Sequence, residues 1–242
     1  MKQHILMVLL VLLAALSAQG CVEIGTVTGS GKIAKEERQV SGFTGVDLET
    51  IGKLYVELGD EEKLVIEAED NLLEYFEVRV RGGTLRIRSK EGVGLAPTEP
   101  VYFYLTAREL SSVAISGAGS IEASSLEAGR FSASISGDGN MDVGDLNADV
   151  LEANISGLGS LSIAGGEVEK QEIVISGDGN YRARGLESGV ADVDVSGLGS
   201  TTIRVHDHLD VTISGDGSVE YIGSPTVVQD ISGVGHVEKI GD

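Results

Sequence analysis

One cysteine, three prolines, no tryptophan and ten other aromatic side chains are all that this chain of 242 residues holds of those types. A lone cysteine excludes an intrachain disulfide and a thiolate zinc site. Cations are also scarce: 18 Lys and Arg stand against 38 Asp and Glu, a formal charge of −20. A chain of that sign repels phosphate backbones, so nucleic acid is excluded as a partner. Past residue 16 no apolar run is long enough to cross a bilayer. Glycine is abundant instead, at 34 residues, but without a Gly-X-Y period or the prolines of collagen. With 41% hydrophobic residues there is material for a core, and wholesale disorder is excluded.

Residues 1–20 read as a secretory signal: Lys2 precedes an apolar run from Ile5 to Leu16, followed by Ser17, Ala18, Gln19 and Gly20. Twelve apolar residues span about 18 Å as a helix, short of the roughly 30 Å hydrocarbon core, so the run is not a permanent span. Cys21 follows directly and resembles the acylated cysteine of a bacterial lipobox, although Ala18 stands where that pattern prefers Leu. Lipid attachment at Cys21 is therefore expected, with residues 21–32 as anchor and tether. The implied location is the cell envelope, on a membrane.

The glycines are organised. A tetrapeptide Ser-Gly-x-Gly begins at Ser116, Ser136, Ser156, Ser176, Ser196, Ser214 and Ser232, with spacings of 20, 20, 20, 20, 18 and 18. Each copy follows Ile or Val, and alternation of period two runs on both sides, as in Ile121-Glu122-Ala123 and Met141-Asp142-Val143. Period two means short strands with one face buried. A unit this small buries its inner face only by stacking on copies of itself. A contour of about 66 Å per repeat, at roughly 3.3 Å per residue, suits one turn of a right-handed parallel β-helix. The glycines are expected at corners, where the backbone takes positive φ or passes close to the next coil. The serines before them are expected to form a hydrogen-bonded ladder. The x position alternates as Ala118, Asp138, Leu158, Asp178, Leu198, Asp216 and Val234. That leaves a 40-residue coil as an alternative, but it would stack Asp on Asp about 4.8 Å apart. The repulsion, about 1 kcal/mol per pair even in water, favours the 20-residue coil.

Residues 33–110 lack the motif but remain strand-like. Lys53 to Leu58 and Lys63 to Ala68 alternate around the turn 59–62, and Glu77 to Arg81 pairs with Thr84 to Arg88 around Gly82-Gly83. Val101 to Ala107 is a further strand, and residues 70–76 suggest a helical turn capped by Asp70 or Asn71. This β-rich region is expected to cap the open end of the coils in a single domain, 33–242, with the repeats occupying 111–242. The segments Gln39-Val40-Ser41-Gly42-Phe43, Ile51-Gly52-Lys53-Leu54-Tyr55-Val56, Asp70-Asn71-Leu72-Leu73 and Val80-Arg81-Gly82-Gly83-Thr84-Leu85-Arg86-Ile87, followed by the Ser-Gly-x-Gly array, resemble the bacterial head GIN domain family, labelled an autotransporter adhesin head. The resemblance implies an exported β-helical protein, often a lipoprotein, with no assigned enzyme activity.

Several residues invite a chemical reading. Asp138, Asn140 and Asp142 follow the D-x-N-x-D spacing of calcium loops, and Asp178 and Asp216 recur at the Asp138 position. The EF-hand fails because its sixth position falls on Val143 rather than Gly. His206 and His208 alternate on one strand and are candidates for a zinc pair. A solvated acidic corner and a solvated strand edge account for both sets without a metal. Polysaccharide enzymes also use β-helices, but only Phe131, Tyr181 and Tyr221 are aromatic in the repeats, and the charge repels acidic glycans. The reading is a non-enzymatic envelope protein, structural or adhesin-like, binding an unidentified envelope or extracellular ligand and open to homo-oligomerisation. The alternatives are a polysaccharide-acting enzyme and a calcium-dependent adhesive module.

Overall fold

A computed structural model describes residues 25–242. The expected signal segment, residues 1–20, and Cys21 lie outside the described residues. Nine strands form the N-terminal part: β1 Gly25–Thr28, β2 Ile33–Arg38, β3 Gly45–Glu49, β4 Lys53–Leu58, β5 Lys63–Glu69, β6 Phe76–Arg81, β7 Thr84–Ser89, β8 Val93–Ala96 and β9 Tyr102–Ala107. The repeats follow with β10 Ser112–Ile115, β11 Ser120–Ile135, β12 Asn140–Ile155, β13 Ser160–Ile175 and seven shorter strands. All the repeat strands pair in parallel, residue 120 on 140 and 140 on 160, so the coil is a right-handed turn of 20 residues. The 40-residue alternative is removed by that register.

Each coil has a Ser-Gly-x-Gly corner and three short faces. Inward side chains stack into columns. One runs Ile121, Met141, Leu161, Tyr181, Thr201, Val219, and another runs Phe131, Leu151, Gln171, Ala191, Leu209. All eleven are buried. The repeated β-branched residue before each corner fills a third column, Ile115, Ile135, Ile155, Ile175, Val195 and Ile213.

The corner glycines are needed for space alone. None of the fourteen has a positive φ. A Cβ at Gly137, Gly157 or Gly197 would overlap the carbonyl oxygen of Gly117, Gly137 or Gly177 one coil below. Adjacent corners are packed backbone on backbone, and only a residue without a side chain fits. The ladder at this edge is also a main-chain one. Ser156 N donates to Ile135 O at 2.8 Å and Ser196 N to Ile175 O at 2.9 Å, while the motif serines are exposed. Beside it, Asn140 Oδ1 accepts from Ser160 N at 3.1 Å, and Asn180 Oδ1 accepts from Ser200 N at 3.3 Å and Ser200 Oγ at 2.6 Å. The alternation of Asn and Ser after the motif thus pairs each Asn with the Ser of the next coil.

After Val195 the coil shortens to 18 residues: Val190 lies opposite His208 and Ser200 opposite Ser218. Both lost residues come from one face, where Leu186–Ser188 are followed in the next coil by Val205 as the buried residue. A buried hydrogen-bond chain fits the junction. Tyr181 Oη donates to Gln171 Oε1 at 2.7 Å, Gln171 Nε2 donates to Ser188 Oγ at 2.9 Å, and Ser188 Oγ donates to Arg204 O at 2.8 Å. The Arg204 carbonyl at the contracted corner thus accepts from inside the core, from Ser188 Oγ and, at 3.4 Å, from Gln171 Nε2. Burial pushes the Tyr181 phenol well above its usual range.

The N-terminal part continues the stack before closing it. β3 pairs in parallel with β10, and β4 with the start of β11, so Glu49-Thr50-Ile51-Gly52 occupies the corner below Ser116. Here Gly52 does take a positive φ of 110°. β7 and β9 pair in parallel beneath β3 and β4 as a further level. Antiparallel strands then seal the end, β6 on β7, and β5 on β9 with β2 outside it. The turn 59–62 does not join a hairpin, because β9 lies between β4 and β5. The helical turn is the 3-10 segment Leu73–Tyr75, and it carries no side-chain cap. Asn71 instead accepts from Ser30 N at 2.9 Å and donates to Thr28 O at 2.8 Å.

That contact belongs to a stretch expected to be tether. β1 pairs in parallel with β8, and the chain after it is clamped by the fully buried Glu69. The Glu69 carboxylate accepts from Thr98 Oγ1 at 2.6 Å, Gly31 N at 2.6 Å and Thr98 N at 2.9 Å. The Thr98 hydroxyl and these backbone donors outweigh burial and hold its pKa below the usual carboxylate range. A Cβ at Gly29 would collide with this carboxylate.

Candidate functional site

The outer surface offers four distinct features. The Ser-Gly-x-Gly ridge carries Leu158 and Leu198, 62% and 61% exposed, with Asp138, Asp178 and Asp216 on the intervening coils. Like residues on this ridge are two coils apart, about 9.6 Å. The three ridge aspartates among the calcium candidates are therefore not brought together. Asn140 is engaged with Ser160, and Asp142 faces outward between Glu122 and Ser162. Asp142 lines a shallow cleft of about 450 Å³ with Glu122 at one end and Arg182 and Arg184 at the other.

His206 and His208 are also separated in role. His206 Nε2 lies 2.5 Å from Glu187 Oε2 on the coil below, whereas His208 is half-buried opposite Val190. Among the described residues no three His, Cys, Asp or Glu side chains come together as a metal-binding group.

A depression of about 970 Å³ is an open groove along the opposite edge, lined by Glu109, Glu127, Asp149, Glu167, Glu169 and Asp207 with Arg108 at one end. Two features lie at the cap. Tyr55 and Tyr104 stack across β4 and β9 at 5.5 Å with Tyr102 beside them, and Lys53 covers the Tyr55 ring at 4.9 Å. The ring faces are occupied by each other and by lysine, so this cluster works as a cross-strand packing unit.

The fourth feature is the β6–β7 hairpin. Arg79, Arg81, Arg86 and Arg88 share one face around a cleft of about 320 Å³. Arg88 forms a forked contact with Glu77 at 2.8 and 3.1 Å, and this holds the Glu77 carboxyl below its usual range. Nothing in the spacing of the sequence marked this hairpin beyond its turn. The signal was there in composition, since residues 76–90 hold five cations and one carboxylate in an acidic chain.

With that architecture in hand, comparison with known proteins is decisive for the family. The sequence profile described as "Putative auto-transporter adhesin, head GIN domain" matches residues 42–225. The chain belongs to the head GIN family. Solved structures share the head GIN fold. A putative adhesin from Bacteroides fragilis NCTC 9343 is 23% identical with a TM-score of 0.84, covering 88% of this chain and all of its own. A putative adhesin from Parabacteroides distasonis ATCC 8503 is 24% identical with a TM-score of 0.73, covering 89% of this chain and all of its own. A protein of the same organism named a putative lipid binding protein is 22% identical with a TM-score of 0.75, covering 89% of this chain and 99% of its own. At these identities the likeness establishes the fold. Among curated proteins no significant match is found. The family match leaves out β1 and β2 and reaches through the first 18-residue coil, so the cap levels and the repeats are one family unit.

Proposed function

We propose that this head GIN chain is an exported, lipid-anchored module of the cell envelope that acts by binding rather than by catalysis. The observation that carries the reading is the way the N-terminus joins the head. β1 and the Glu69 clamp fix the chain from Gly25 onward, and only three residues of sequence separate Cys21 from Gly25. Their covalent reach is at most about 14 Å. An acylated Cys21 would therefore seat the cap end on the bilayer, with three acyl chains each contributing about 0.8 kcal/mol per buried CH₂. The coils would project outward as a rigid rod whose faces present Ser, Asn, Thr and carboxylates in rows about 4.8 Å apart. Repeated rows of hydrogen-bonding groups suit an extended ligand better than a small substrate. The adhesin names of the family and of two solved relatives, and the lipid-binding name of the third, agree with a surface protein.

Three experiments test this. Labelling with radioactive palmitate should mark the wild-type protein and leave Cys21→Ser unlabelled and released from membranes; an unlabelled wild type removes the anchor. A glycan and envelope-protein array probed with residues 22–242, with and without Ca²⁺, should return a ligand. A heat of Ca²⁺ binding that disappears in Asp138→Asn would favour the calcium-dependent adhesive alternative.

A further inference from the structure

The arginine hairpin has no part in the binding rows, yet it is the most concentrated positive charge in the molecule. Residues 76–90 carry a net +4, whereas residues 111–242 hold 6 Lys and Arg against 21 Asp and Glu. Arg79 lies directly opposite Arg86, a like-charge pairing that costs folding stability. Glu77 meets both Arg88 and Arg79, and Glu49 meets Arg86, yet the Arg79 side chain remains 69% exposed. Arg81 is exposed beside the Gly82-Gly83 turn, where a Cβ would touch nothing within 4 Å. β6 pairs with β7 alone and is an edge strand at the cap end.

The position of the chain's entry gives this patch an occupant. Gly25 lies opposite Val93, and Val93 N donates to Lys90 O at 3.3 Å. The segment leading back to Cys21 therefore enters the head beside the last cation of the hairpin. We infer that the Arg79–Arg81–Arg86–Arg88 face docks on the phosphate headgroups of an anionic membrane leaflet, holding the rod's cap against the bilayer. The inference rests on the membrane location proposed above. The acidic coils do not prevent it, because coils rise about 4.8 Å each while the Debye length at 0.15 M salt is about 8 Å. Two coils away their charge is largely screened. Each cation near an anionic surface strengthens binding by roughly fivefold.

The test uses lipid-free residues 22–242, which include every residue of the described fold, so it is independent of whether Cys21 is acylated. Co-sedimentation at about 0.1 M salt with vesicles of 30% phosphatidylglycerol in phosphatidylcholine should show binding. Pure phosphatidylcholine vesicles should show none, and about 1 M salt should abolish binding as the Debye length falls to about 3 Å. Replacing all four arginines by Gln should weaken it by about tenfold or more. Arg182→Gln with Arg184→Gln, on the coils, should leave it unchanged. Arg81→Glu, at an exposed site, serves as the second variant if the quadruple one unfolds, and should weaken binding severalfold. Equal binding by either hairpin variant, equal binding to neutral vesicles, no binding to anionic vesicles, or tighter binding to soluble polyphosphate at equal phosphate concentration would each overturn the inference. A palmitate-negative result with intact vesicle binding would overturn the anchor and keep the hairpin.

Discussion

The corners of the coils and the hairpin of the cap make opposite uses of glycine and charge. In the coils, glycine provides room: fourteen corner glycines have ordinary φ and stand against the carbonyl below. In the cap, Gly82 and Gly83 stand in open space and provide backbone conformation, with φ of 60° and 79°. Charge follows the same division. Residues 25–110 carry 11 Lys and Arg against 16 Asp and Glu, a net −5, while residues 111–242 carry a net −15. Seven of the ten aromatic residues lie between Phe43 and Tyr104, where irregular space must be filled. A repeated coil fills its interior with columns of mostly aliphatic side chains, one residue per level. An end must be closed once, with large rings, antiparallel strands and a buried carboxylate.

The largest effect should come from putting a side chain on a coil corner. Gly157→Ala should destabilise residues 22–242 by about 3 kcal/mol or more, because the collision is with backbone that cannot turn aside. Gly83→Ala, a positive-φ site in the cap, should cost only about 1–2 kcal/mol, and Gly83→Asn less. Urea unfolding of the three variants reads the difference, and equal losses at both sites would erase the distinction drawn here. Next in size is the junction of the two coil lengths. Tyr181→Phe leaves the Gln171 carbonyl without its buried donor and should cost about 1–3 kcal/mol.

The cap's own electrostatic device should respond to pH. Because the folded pKa of Glu69 lies below its unfolded value of about 4.3, its contribution is full above that value. It is lost as pH falls through the lower folded value. Glu69→Gln should therefore melt at a lower temperature than wild type at pH 7, with the gap closing below about pH 4. Amide exchange at residues 29–31 should rise in step; a gap that persists at low pH would assign the effect to shape. The smallest effect belongs to the ridge. Leu158→Ser should change stability by no more than about 0.5 kcal/mol, so any loss of ligand binding there reports on the surface alone.

The coils were legible in the sequence because repetition averages out ambiguity: seven copies of one corner place every strand in register. The cap was legible only in part. Its strands alternate plainly, but which strand lies beside which depends on contacts distant in sequence. β9 separates β4 from β5, although the turn 59–62 between them looks like a hairpin. The level formed by Glu49-Thr50-Ile51-Gly52 keeps one glycine of the motif, too little to mark it as a corner. Among site residues, the spacing of Asp138, Asn140 and Asp142 suggested a loop, whereas strand pairing aims Asn140 at Ser160 and carries Asp142 to an outer face. The hairpin arginines had no motif to announce them, since a patch on two strands exists only after they pair.

The change from 20 to 18 residues per coil happens on one face, while the corner and the other two faces keep their register. About 6.6 Å of perimeter is removed there without moving a single column elsewhere. At that edge chain length and stacking vary independently. A peptide grafted at the exposed His206-Asp207 corner would add to the circumference of that coil and leave the buried Leu186 and Ser188 in place. The rod could be lengthened, marked or given a new epitope at that seam while its ends stayed in the same orientation.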